Sequence, residues 1–233
     1  MGPQGVGGGE TQPRDRRDRM THHGLDVLLN GPEDGPRFLF AHGAGAPMDS
    51  PWMHAMARGL ADAGIRVVRF AFPYMARRQQ DGGRRPPDRQ PVLLDTWRQA
   101  LTAFGPAHRV VIGGKSMGGR MAALLADEVG AAGLVCLGYP LHPAGKPERS
   151  RADVLRDLRT PTLICQGTRD PLGNQEIFAS VPLSPAVQMV WSDDGDHGFK
   201  PSRASGRSEA QAMAEAVTAA AHFIHQAHAR PDP

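Results

Sequence analysis

The chain has 233 residues, 40% of them hydrophobic and 22% charged, with a formal net charge of +3. That balance suits one globular domain with a full hydrophobic core. Arginines gather at 14–19 and 77–89, but interleaved with aspartate and without aromatic partners, which argues against a basic stripe for nucleic acid. No apolar run approaches the roughly 18 residues of a membrane span, and the N-terminus lacks the apolar core of a signal peptide. The expectation is a cytoplasmic protein, monomer or homodimer, acting on neither membrane nor nucleic acid.

Residues 1–20 are Gly, Pro, Arg and Asp with almost nothing to bury, and read as a disordered tail before a domain at 21–229. Leu25 to Leu29 reads as a short edge strand closed by Asn30-Gly31-Pro32. Arg37 to Ala41 is the first buried strand and runs into His42-Gly43-Ala44-Gly45-Ala46. A helix follows from Trp52 to Ala63, with Trp52, Met56, Leu60 and Ala63 at helical spacing and Gly64 at its end. Ile65 to Phe70 is a strand, and Arg77 to Pro91 reads as a long irregular polar segment. Val92 to Phe104 is helical.

Beyond these, strands are expected at Val110 to Ile112, Gly133 to Gly138, Thr162 to Gln166 and Val187 to Trp191. Helices are expected from Arg120 to about Val129, at Arg151 to Leu158, at Gln175 to Ser180 and, Ala-rich, at Ser208 to Ala227. Strands alternating with helices predict an α/β fold, a mostly parallel central sheet with helices on both faces. In such sheets ligands bind at the carboxyl ends of the strands. Cys136 and Cys165 lie in apolar runs and read as buried thiols, not as a disulfide or a zinc site. His22-His23 lacks a third ligand nearby, so no metal is assigned there.

Gly114-Lys115-Ser116-Met117-Gly118 fits G-x-S-x-G between a strand and a helix, the nucleophile elbow. A serine on so sharp a turn occupies strained backbone, and its neighbours two residues away must lack side chains. Serine also needs a base, and the base needs a partner to fix its tautomer. Asp170 follows the strand ending at Gln166, and His197 follows the strand ending at Trp191, so both reach the same sheet edge as Ser116. Asp194 or Asp196 remains open as the orienting acid, although Asp170 comes from a separate strand end. The acidic residues around His197 lack EF-hand spacing, and no metal is assigned to them. Oxyanion donors are expected from the backbone N–H of Met117, just after the nucleophile, and from Ala44. Gly43, Gly45, Tyr74, Leu141 and Leu172 are candidates to line a substrate site, and Arg84 or Arg85 to reach an acidic group. His42 reads as a structural hydrogen-bonder beneath its loop.

Taken together, His42 to Gly45, Gly113 to Arg120, Gly138 to Pro143, Gly167 to Asp170 and Asp196-His197 resemble a small lidless branch of the α/β-hydrolase superfamily. The chain is similar to dienelactone-hydrolase-like proteins and closer to the branch shared with testis-expressed proteins and a chromatin-complex subunit. The resemblance runs from about Leu25 to Ala227 and implies an esterase-like hydrolase fold. Dienelactone hydrolases proper carry a cysteine nucleophile where this chain has Ser116. The short stretch between Pro140 and Pro161 leaves no room for a cap domain. The resulting expectation is a cofactor-free serine hydrolase of a small-molecule ester or thioester. Acyl transfer and peptidase action would use the same residues, and the alternative is a hydrolase-fold binding module without useful turnover.

Overall fold

The computed structural model describes residues 19–230, in which eight strands form one sheet of order β1-β2-β4-β3-β5-β6-β7-β8. The strands are β1 (Arg19–His22), β2 (Leu25–Asn30), β3 (Arg37–Ala41), β4 (Arg66–Phe70), β5 (Val110–Lys115), β6 (Gly133–Leu137), β7 (Thr162–Gly167) and β8 (Val187–Ser192). From β4 to β8 every pairing is parallel, and only β2 runs against both its neighbours.

Seven α-helices cover the sheet: α1 (Pro51–Asp62), α2 (Pro73–Asp81), α3 (Gln90–Phe104), α4 (Met117–Val129), α5 (Asp153–Asp157), α6 (Gln175–Ala179) and α7 (Glu209–His228). Period-two alternation along the strands divides the core. Phe38, Phe40, Val111, Val135 and Cys165 face α1 and α7, whereas Leu39, Ala41, Ile112, Cys136 and Ile164 face α3 and α4. The Ala-rich helix α7 turns Ala212, Ala216 and Ala220 inward at a spacing of four, so it lies close to the sheet. Both cysteines are free and fully buried, and burial pushes the Cys165 thiol up to about 12.

Two expectations for the first hundred residues are corrected. Leu25 to Leu29 is not an edge: β1 pairs outside β2 through the turn His23-Gly24, both at positive φ (47° and 77°). The Arg19 Nε bonds Asp26 at 2.8 Å, so Arg19 and Met20 belong to the sheet, while residues 1–18 of the expected tail lie outside the described residues. The polar segment Arg77 to Pro91 is also more regular than its composition suggests. Helix α2 starts on Pro73 at its first turn and runs to Asp81, where Gly82 in the left-handed region (φ 68°) stops it. Its N-terminus is satisfied from a distance, because the Tyr74 N–H donates to Asp88 Oδ2 at 2.7 Å. Arg77 also reaches Asp88, and Arg85 pairs with Asp81. Among the described residues no helix is long and apolar enough to cross a membrane.

Candidate active site

Ser116 sits between β5 and α4 at φ 51°, ψ −114°, a conformation that few non-glycine residues adopt. Its N–H is held by the Leu137 carbonyl at 3.0 Å, and its carbonyl accepts from the Arg120 N–H at 3.0 Å. The flanking glycines are steric requirements. A Cβ on Gly114 would lie 2.5 Å from the Ala41 oxygen, and one on Gly118 would lie 2.6 Å from it and 2.7 Å from the His42 oxygen. The elbow is thus wedged, backbone on backbone, against the end of β3.

The base and its partner arrive from β8 and β7. His197 Nδ1 is 2.7 Å from Asp170 Oδ2, and Asp170 is fully buried. A carboxylate accepts, so Nδ1 carries the proton and the Nε2 lone pair is left for the cavity side. The loops carrying the pair are joined through the backbone, with the Arg169 N–H donating to Gly195 O at 2.9 Å. Gly167 makes this approach possible, since a Cβ there would lie 2.3 Å from the Asp196 oxygen. Asp194 and Asp196 are spent on their own loop. The first accepts from Ser202 N at 2.6 Å and pairs with Arg169, and the second accepts from Gly198 N at 2.7 Å and Lys200 N at 3.0 Å. Neither orients His197. Among the described residues no group of three His, Cys, Asp or Glu side chains could hold a metal ion.

Several residues that sequence reasoning did not assign hold this arm. Gln166, at the end of β7, is fully buried: its Nε2 donates to Asp170 Oδ2 and to Gly173 O, each at 2.8 Å, while its Oε1 accepts from Tyr139 N at 2.7 Å. Asp170 Oδ1 meanwhile accepts from Leu172 N at 2.8 Å. Lys115 runs across the face of Gly138, and its Nζ donates to the His197 carbonyl. The ammonium lies 5.3 Å from the Trp52 ring and 5.8 Å from the Phe199 ring, and burial pulls its pKa down to about 8. Trp52 Nε1 donates to Gly198 O at 2.9 Å. The available signal for Gln166 was a lone polar residue closing the apolar run of β7.

On the other side, the loop after β3 is held from beneath. The Phe72 N–H must donate, so His42 Nε2 accepts it (3.1 Å) and Nδ1 donates to Gly43 O (2.7 Å). Burial pulls the His42 pKa down to about 4, so the ring is neutral at pH 7. The Tyr74 hydroxyl reaches Ala44 O at 3.0 Å and Gly43 O at 3.3 Å. With the Gly43 carbonyl turned toward these buried partners, the trans peptide aims the Ala44 N–H the opposite way.

Ser116 and His197 share a cavity of about 260 Å³ with Gly43, Ala44, Gly45, Trp52 and Lys115. Of the expected lining residues, Gly43 and Gly45 are there. Tyr74 is not: it is buried behind the loop it supports. Leu141 and Leu172 also lie outside the cavity, joined to each other behind Asp170 by the Leu141 N–H to Leu172 O bond at 2.8 Å. Arg84 and Arg85 are absent from its wall, and Arg85 is taken by Asp81.

A parallel sheet with a strained serine elbow, and an Asp–His pair on later strands, defines the α/β-hydrolase class. Residues 34–225 match the family model described as an alpha/beta hydrolase domain, and the chain belongs to that family. Among solved structures it is similar to a dienelactone hydrolase from Anabaena variabilis, with 21% identity, 87% of this chain and 91% of that chain covered, and a TM-score of 0.66. It is also similar to a serine hydrolase without lid from Xanthomonas campestris, with 20% identity, 87% and 88% covered, and a TM-score of 0.60. A third is the esterase domain of a Rhodothermus marinus protein, with 19% identity, 87% and 92% covered, and a TM-score of 0.60. These likenesses establish the fold, without a large cap.

Proposed function

We propose that the protein is a serine hydrolase that cleaves an ester or thioester through an acyl-enzyme on Ser116. The observation that carries this reading is the cavity shared by the strained Ser116 and by His197, whose Nδ1 is committed to buried Asp170. Ser116 Oγ attacks the carbonyl carbon, and His197 Nε2 takes its proton. Asp170 stabilises the imidazolium without accepting the proton. The tetrahedral oxyanion is held by the N–H of Met117, at the first turn of α4, and by that of Ala44. Collapse expels the alcohol or thiol, which leaves with the proton from Nε2. Water then repeats the sequence on the acyl-enzyme, releasing the acid and restoring Ser116. No step calls for a cofactor.

The test is covalent labelling by a fluorophosphonate probe. Wild type should label, Ser116→Ala should not, and His197→Ala should label slower by a hundredfold or more, the usual contribution of a positioned base being about 10²–10⁴. Undiminished labelling of a folded Ser116→Ala variant would overturn the reading.

A further inference from the structure

Helices α1 and α7 lie side by side and run in the same direction. Gly59 packs on Val217, and the Ala63 carbonyl meets His225 Nε2 at 3.0 Å, so the start of α1 faces the start of α7. Both helices therefore begin at the carboxyl edge of the sheet, beside Ser116 and His197. Between their outer surfaces runs a groove of about 910 Å³. It adjoins the catalytic cavity, with Ala46, Ser50 and Trp52 lining both.

The sequence explains the groove's shape. A Cβ on Gly59 would come within 2.8 Å of Val217 Cγ2, so its absence lets the two helices close along the floor. Exposed alanines at Ala55, Ala210 and Ala214 keep the walls low, with Met213 between them. Most of the wall is apolar, although the buried Ser50 hydroxyl at its inner end has no hydrogen-bond partner among the described residues. The Thr218 hydroxyl at the far end is turned back onto Ala214 O at 2.9 Å. Glu209, at the near end, places a carboxylate beside the groove and is 3.6 Å from Lys200. The wall thus suits methylene groups.

We propose that this groove holds the acyl chain of the ester cleaved at Ser116, which makes the substrate class an ester or thioester of a linear, uncharged fatty acid. The proposal rests on the serine-hydrolase reading and extends it beyond the small group that the 260 Å³ cavity itself takes. From Trp52 to Gly59 the groove follows about 10 Å of helix. That accommodates about eight carbons of an extended chain at about 1.25 Å each, beyond those next to Ser116. Each fully buried methylene favours binding about fourfold, and an open groove buries about half of it. Lengthening the acyl group from butyrate to dodecanoate therefore raises kcat/KM on the order of a hundredfold.

The experiment is the chain-length profile of the full chain on p-nitrophenyl esters from acetate to dodecanoate, each below its micelle concentration. It is repeated for Ala55→Trp and Ala214→Trp, both at exposed positions outside the core. The expected result is a profile rising to dodecanoate, with the dodecanoate-to-acetate ratio cut tenfold or more by either tryptophan. A profile that is flat or falling beyond butyrate, or a ratio untouched by both variants, overturns the proposal. So does a dimer, by analytical ultracentrifugation, that Ala214→Trp converts to monomer, since the groove would then be filled by a second copy. Serine-dependent turnover of acetate with a flat profile rejects the acyl groove alone. Absence of turnover together with absence of Ser116 labelling rejects the hydrolase reading as well.

Discussion

Each arm of the site is braced by a fully buried polar side chain, and the two are of different kinds. His42 underlies the Gly43–Ala46 loop through two backbone contacts, accepting from Phe72 N and donating to Gly43 O. Gln166 underlies Asp170 and ties it to Gly173 and Tyr139. Imidazole can take a second proton, whereas a carboxamide does not titrate. The loop proposed to bind the oxyanion is therefore sensitive to acid through His42, while Gln166 holds Asp170 without titrating. His42 should govern how stability depends on pH, and Gln166 should govern turnover.

The acid-dependent effect is expected from His42. Its folded-state pKa is near 4 and its unfolded value near 6.5, so between these limits only the unfolded chain binds the proton. The stabilisation is fully present above about pH 6.5 and is lost as pH falls toward 4, amounting to about 3 kcal/mol for a shift of this size. Denaturant unfolding from pH 7 to pH 4 should show this loss, and His42→Gln should flatten it while lowering stability at pH 7. Equal slopes for the two proteins would remove His42 from the acid-sensitive arm.

Gln166→Leu probes the other arm. Leucine fills similar space but leaves Tyr139 N–H and Gly173 O without their partner, costing about 1–3 kcal/mol of stability for each buried group left unpaired. Asp170 keeps Leu172 N and His197 but loses its third restraint. A small displacement of a catalytic pair costs on the order of ten- to a hundredfold in rate. The expected result on a short ester is a fall of that size in kcat with KM little changed. A kcat equal to wild type in a folded variant would make Gln166 a purely structural residue.

The same contrast explains what was legible in the sequence. Rules that act through backbone sterics are local: G-x-S-x-G marks the elbow because a Cβ on Gly114 or Gly118 would lie 2.5–2.6 Å from the Ala41 oxygen. Strand alternation and the loop positions of Asp170 and His197 follow from similarly short-range patterns. Gln166 acquires its role only when β7 is laid beside the loop after β6, a contact between residues 27 apart. Leu141 and Leu172 follow strand ends, which specifies the edge of the sheet but not the side of the loop, and they fold behind Asp170. Helix α2 was hidden because its arginines serve an exposed face, and its N-terminal N–H is satisfied by Asp88, fourteen residues away from Tyr74.

The smallest effect sharpens the oxyanion side. Tyr74 contributes a single hydroxyl, shared between Ala44 O and Gly43 O, and its ring stays buried without it. Tyr74→Phe therefore removes about 1 kcal/mol of stability, the net worth of one hydrogen bond. His42 Nδ1 continues to hold the Gly43 carbonyl, so the Gly43–Ala44 peptide keeps its orientation but gains freedom to rock. An oxyanion donor acts in the transition state and not on the ground-state ester. Loosening it should lower kcat and kcat/KM together by a few-fold, about 1 kcal/mol at most, with KM unchanged. A rise in KM at constant kcat would instead place the Tyr74 contact on the substrate-binding side, and the Ala44 N–H would then lose its assignment as a donor.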